Sequence, residues 1–235
     1  PAELRTDAVL RQTEVLLRLE KPELARHAMS ALPENQESQA VRELLTGEMC
    51  LVEGSSLPAG DPQRTEKLTE ADRRIREALR LDRSSGSVKR EAEYWLGKCF
   101  AARGDVNAAL EEFQRLGKLN GDTPEGLAAI LSSAELFREK GDYERALAGY
   151  RALLDLAPAP AAYVNQLLPL STLRKRLLVA QQEFVDAGRY EDAVDMLDLF
   201  QDLFSEVEIV EMRAKTQAQW GAALLAPHAK KDRWR

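Results

Sequence analysis

Chemistry in this chain would need cysteines, histidines or paired carboxylates at ligand or catalytic spacing, and the candidates are few. Cys50 and Cys99 are the only thiols, too few for a disulfide framework. Both fall on the apolar face of a helical pattern, where a thiol packs as a small hydrophobe; a bond between them stays open at this point. His27 and His228 stand far apart, and neither has Cys, Asp or Glu around it at ligand spacing. The acidic pairs Glu111-Glu112 and Glu191-Asp192 sit at helix starts or on solvated faces, where carboxylates complement the helix dipole. A Gly-rich phosphate loop, a paired-Cys motif and a His-Glu-x-x-His stretch are all missing from the 235 residues. We therefore expect no catalysis, no metal site and no cofactor.

The elements that would carry any site are helical. Residues 96–116, LGKCFAARGDVNAALEEFQRL, place Leu96, Cys99 and Phe100, then Ala109, Leu110 and Phe113, at helical spacing. Gly104 follows Arg103 where a helix end favours a residue able to take positive φ, and Asp105 can accept from the free N–H groups of the next helix. Gly97 and Ala109 are small, so two helices can approach closely there while Phe100 and Phe113 fill the adjacent space.

This pattern resembles the tetratricopeptide repeat, a helical hairpin of about 34 residues. The matching residues are Leu96, Gly97, Phe100, Gly104, Asp105, Ala109, Phe113 and Leu116; Val106 and Leu116 depart from the usual aromatic and alanine. The turn recurs as Gly141-Asp142-Tyr143-Glu144-Arg145-Ala146, after Ala134 and Phe137 and before Tyr150 and Pro158. It appears again as Gly188-Arg189-Tyr190-Glu191-Asp192-Ala193.

The resemblance implies an all-α, right-handed αα-superhelix of about five hairpins and a closing helix, occupying residues 1–225 as one repeat domain. The units fall at about 4–32, 38–82, 88–119, 124–158 and 161–204, with the closing helix at 205–225 and a basic tail at 226–235. From Ala25 to Ala71 is 46 positions, 12 beyond the family period of about 34. We place that excess in a loop over 55–63, SSLPAGDPQ, whose prolines and glycine break helical periodicity. Residues 161–168 are expected to form a short extra helix. Thr123 with Pro124, and Ser205, read as helix starts.

Net charge of −6 gives no electrostatic reason to expect nucleic acid. No apolar run approaches the roughly 18–20 residues of a membrane span. An opening Pro1 in place of Met leads us to expect a segment of a longer polypeptide, cytoplasmic or periplasmic.

By resemblance, the first helix of each unit lines a concave groove that holds a partner's peptide or helix. The slots map to Leu10, Glu14 and Leu17, then Leu44, Glu48 and Leu51, then Tyr94, Lys98 and Ala101. Leu131, Glu135 and Arg138, and then Leu178, Gln182 and Val185, complete the set. Family members that clamp a terminal carboxylate use Lys and Asn in these slots. Here only Lys98 matches and the Asn is absent, so a partner with apolar anchors and some Lys or Arg fits better. The expected function is a non-catalytic protein–protein interaction scaffold for a protein or peptide partner. The alternative is a structural, self-associating module of a larger, envelope-anchored bacterial protein.

Overall fold

A computed structural model describes residues 8–9, 12–13, 15–17, 19, 21–32, 36–82 and 86–229, with no side-chain account of 36–37 and 226–229. The described residues contain helices and turns and no strand, the all-α class expected. The chain divides into two compact units, Pro1–Lys118 and Leu119–Arg235.

In the first unit, helical residues between 8 and 17 precede α1 (Pro22–Met29), which Pro22 opens as expected for a residue whose missing N–H costs nothing at a helix start. Next come α2 (Gln36–Ser56), α3 (Pro62–Leu81), α4 (Ser87–Arg103) and α5 (Val106–Asn120), whose last turn crosses into the second unit. Helix α2 is buried on two sides. Leu45 and Met49 join Leu17, Ala25, Met29 and Leu32 in one apolar cluster. Leu44, Cys50 and Leu51 join Leu68, Ala71, Ile75, Ala78, Ala92, Leu96 and Cys99 in another. Each hairpin thus covers its apolar surface only by stacking on its neighbours in sequence.

The residues read as a long loop are mostly helix. Helix α2 continues through Ser56 and α3 begins at Pro62, so only 57–61 is non-helical. The cause is local. Pro62 stands at the first helical position, Asp61 accepts from the Gln63 N–H at 2.8 Å, and Gly60 takes φ +98°. The excess length makes two long helices, of 21 and 20 residues against 17 and 15 in the next hairpin. Gly54 consequently lies inside α2, against Leu68, and does not end a helix as Gly104 does.

The second unit holds α6 (Pro124–Glu139), α7 (Tyr143–Leu156), α8 (Leu170–Asp186), α9 (Tyr190–Asp198) and α10 (Glu206–Ala229). Thr123 caps α6 through the Gly126 N–H, and Ser205 and Glu208 bond reciprocally at the start of α10. Residues 161–168 do not form the extra helix. A 3₁₀ turn, Pro160–Ala162, gives way to an irregular segment held by Asn165. Its Oδ1 accepts from the Leu168 N–H at 2.8 Å, and its Nδ2 donates to the Pro124 carbonyl at 3.0 Å. Pro169 also disfavours the helical region for Leu168 before it. Helix α10 runs past Pro227 to Ala229, beyond the end expected at 225.

Candidate functional site

Three turns fix where each first helix ends and its return helix begins. At Gly104, Gly141 and Gly188 φ is +84°, +77° and +74°. In each, the glycine N–H donates to the carbonyl three residues back, and the following N–H donates to the carbonyl five residues back. These are the paired bonds of a Schellman ending, and they satisfy two carbonyls that a helix end otherwise leaves bare. Side chains along the first helices are thereby set in register.

The helices then close on small residues. A Cβ built on Gly97 would lie 2.5 Å from the Phe113 ring, and one on Gly47 would lie 2.6 Å from Ile75. In the second unit the roles exchange: Gly149 on the return helix meets Ala134, at 2.8 Å from the built Cβ.

The slots assigned from the family pattern separate into three groups. Leu10 and Glu14 lie outside the described residues. Leu44, Leu51, Tyr94 and Leu131 are at most 4% exposed and belong to the core, as does Leu17. This corrects their assignment as an open lining: a first helix flanked on two sides has few apolar positions left for solvent. Tyr94 sits against Trp95 and Phe113, with ring centroids 5.2 and 5.8 Å away. Glu48 is also buried, at 4% exposure, and partnered.

The remaining slots stay within reach of solvent or form a polar network. Lys98 is half-buried and Leu178 is 37% exposed. Gln182 donates to Asp186 at 2.8 Å. Glu135 on α6 pairs with Arg176 on α8, and Arg138 on α6 pairs with Glu183 on α8 at 2.9 Å. Two ion pairs of opposite polarity therefore tie one first helix to the next. Beneath them lies Tyr150, fully buried, its hydroxyl without a hydrogen-bond partner among the described residues. Burial pushes that phenol above its ordinary range.

Arg176 and Glu183 were missed in the sequence because the pattern assigns roles one slot at a time, whereas each pair spans two helices. Arg64 was missed too. From the start of α3 its guanidinium donates to the carbonyls of Gly54, Ser55 and Leu57 at the end of α2, and to Ala102 at the end of α4. A cation at two helix ends is placed where the dipoles are negative.

Reactive chemistry finds no support among these groups. Cys50 and Cys99 are buried free thiols in one apolar cluster. Burial raises both, Cys99 to about 12, which keeps it protonated and unreactive near neutrality. No cluster of His, Cys, Asp and Glu that could hold a metal occurs among the described residues. A cavity of about 280 Å³ lies at the third turn, between Gly188, Tyr190, Glu191 and Trp220, but its Arg189 and Asp192 already pair at 2.6 Å. No helix of the described residues is long and apolar enough to cross a membrane.

The tetratricopeptide-repeat family profile matches twice, over residues 91–123 and 128–159. Those two stretches are similar to tetratricopeptide repeats, which generally mediate protein–protein interaction. The chain is also similar to DnaJ homolog subfamily C member 3 of Gallus gallus, with 26% identity over 118 residues. That match takes in 50% of this chain and 23% of the relative, so the chain corresponds to about a quarter of that protein's length.

Proposed function

We propose that the chain is a non-catalytic scaffold that binds a peptide or helix of a protein partner along the exposed side of its first helices. The cross-helix ion pairs of α6 and α8, Glu135–Arg176 and Arg138–Glu183, carry this reading. They hold charged groups in fixed positions across two neighbouring first helices. Charges held in fixed positions select a partner helix by charge pattern, and less ordering is then needed on binding. Within the second unit, Glu135 with Glu183 and Arg138 with Arg176 offer both signs of charge to such a ligand.

The test uses the full chain as bait against an extract of the source organism, with partners identified by mass spectrometry. Exchanging the charges together, Glu135→Arg with Arg176→Glu, preserves the ion pair but reverses its direction. The reading expects the recovered partner to be lost while the urea midpoint holds. A partner retained at full yield would place binding on another surface.

A further inference from the structure

Helix α8 carries its charges against its own dipole. Among the described residues, every other α-helix of the second unit has a carboxylate in its first turn: Glu125 on α6, Glu144 on α7, Glu191 on α9 and Glu206 on α10. Helix α8 has none there and no cation in its last turn. Its cations, Arg174, Lys175 and Arg176, stand near the start, and its carboxylates, Glu183 and Asp186, near the end. Both sets oppose the field of the aligned peptide dipoles. The stability of the helix alone does not account for them.

Neighbouring helices account for three of the five. Arg174 pairs with Glu208 of α10 at 3.3 Å, Arg176 with Glu135 of α6, and Glu183 with Arg138 of α6. Lys175 and Asp186 enter none of these cross-helix pairs, and both are exposed. Helix α8 thus has a bonded neighbour on each flank, and these two residues mark the side left after both are in place.

That side has the spacing of a helix–helix seam. Lys175, Val179, Gln182 and Asp186 follow at steps of four, three and four, which keeps them on one stripe. Leu178, three positions after Lys175 and four before Gln182, widens it. Leu178 is 37% exposed and Val179 46% exposed. Leu177, Ala180, Gln181 and Phe184, on the opposite side, are buried. The stripe has an apolar middle, a cation at one end and a carboxylate at the other. It spans roughly 16 Å, three turns of helix.

Resting on the scaffold function proposed above, we infer that this stripe docks an amphipathic helix of a partner protein, parallel to α8. That helix is acidic towards its N-terminus, basic towards its C-terminus and apolar between. Charge complementarity sets the direction. A parallel partner meets Lys175 with its first turns and Asp186 with its last, so the signs it needs are those its own dipole favours. An antiparallel partner would need a cation at its start and a carboxylate at its end, against that dipole.

The probe is a synthetic helical peptide about five turns long, with Glu in its first turns, Leu at seam spacing and Lys in its last turns. It is titrated into the full chain carrying a fluorophore at Thr172→Cys, an exposed position one turn before Lys175. Saturable binding is expected, with a quencher on the peptide's N-terminus acting more strongly than one on its C-terminus. Lys175→Glu with Asp186→Lys should exchange the two quenchers' effects, and should leave the fold intact because the new charges follow the α8 dipole. Leu178→Glu should weaken binding at least tenfold. No saturable binding, equal quenching from both ends, or a direction that survives the charge exchange would overturn the inference. A dimer that Leu178→Glu dissociates would overturn it too, giving the stripe to a second copy. If the extract partner is lost on the exchange at Glu135 and Arg176 but no peptide binds, this inference falls and the scaffold function stands. If the peptide binds as described while that partner is retained, the stripe stands and the ion pairs fall as the selector.

Discussion

The hairpin of α4 and α5 and the hairpin of α6 and α7 reach the same close helix crossing by opposite assignments. In the former, glycine is on the first helix and an aromatic ring fills the notch: Gly97 under Phe113. In the latter, alanine is on the first helix and glycine on the return helix: Ala134 against Gly149. The ring that corresponds to Phe113, four residues after the return-helix alanine, is Tyr150. It turns to a different neighbour, Phe184, with centroids 6.4 Å apart. The summed size at a crossing is therefore what the fold restricts, more than which helix supplies the small residue.

The largest effect expected from that rule is at Gly149. Leucine there should cost about 1–3 kcal/mol, like other overpacking changes, because Ala134 is a fixed Cβ on a helix and has no rotamer to yield. Urea denaturation followed by circular dichroism reads this; an unchanged midpoint would mean the second hairpin tolerates a wider crossing. Arg64→Ala should come next, at about 1–2 kcal/mol, since it strips a charged donor from carbonyls at two helix ends. The same denaturation curves give it, and no loss would show that water replaces the guanidinium.

Tyr150→Phe tests the comparison from the other side, by giving the second hairpin the first one's ring. The lost hydroxyl has no partner among the described residues, so stability at neutral pH should hold or rise by up to about 1 kcal/mol. Its pH dependence has a definite sign. Burial raises the folded-state phenol above its unfolded value of 10.0, so the folded state keeps its proton where the unfolded state has begun to lose it. This contribution is complete below pH 10 and declines as pH rises through the folded value. Tyr163, raised to about 12 by burial, acts in the same direction. Tyr150→Phe should therefore flatten the fall in stability above pH 10; an identical alkaline limb would show that the phenol is not buried.

The smallest effect concerns the thiols, where wild type should show almost no change. Cys50 and Cys99 should resist alkylation at pH 8 until urea exposes them, because only the thiolate reacts and burial disfavours it. Labelling at the rate of a free thiol in the native protein would contradict the packed cluster around them.

Much of the fold was legible because turns and crossings are local. A glycine after a helix and an alanine five residues on suffice to draw a hairpin, and the three turns at Gly104, Gly141 and Gly188 follow that pattern; Asp105 and Asp142 add an acceptor in the first two, where Arg189 stands in the third. What misled was local as well. Two prolines and a glycine over 55–63 read as loop, although Pro62 with Asp61 before it is a strong helix start. Burial was harder to see. Leu44, Leu51 and Leu131 carry the periodicity of a groove and of a core alike, and only the neighbouring helix decides between them. The ion pairs of Glu135 and Arg138 join residues 41 and 45 positions apart, spacings that no single-repeat pattern encodes.

The measurement that bears most directly on the central claim compares two glycines in the same chain. Leucine at Gly97, where a ring already occupies the notch, should lower the unfolding free energy by about 1–3 kcal/mol. Leucine at Gly221 of α10, where a built Cβ meets nothing within 4 Å, should leave it within about 0.5 kcal/mol. Equal losses at both positions, or none at Gly97, would contradict an architecture built on small-residue crossings.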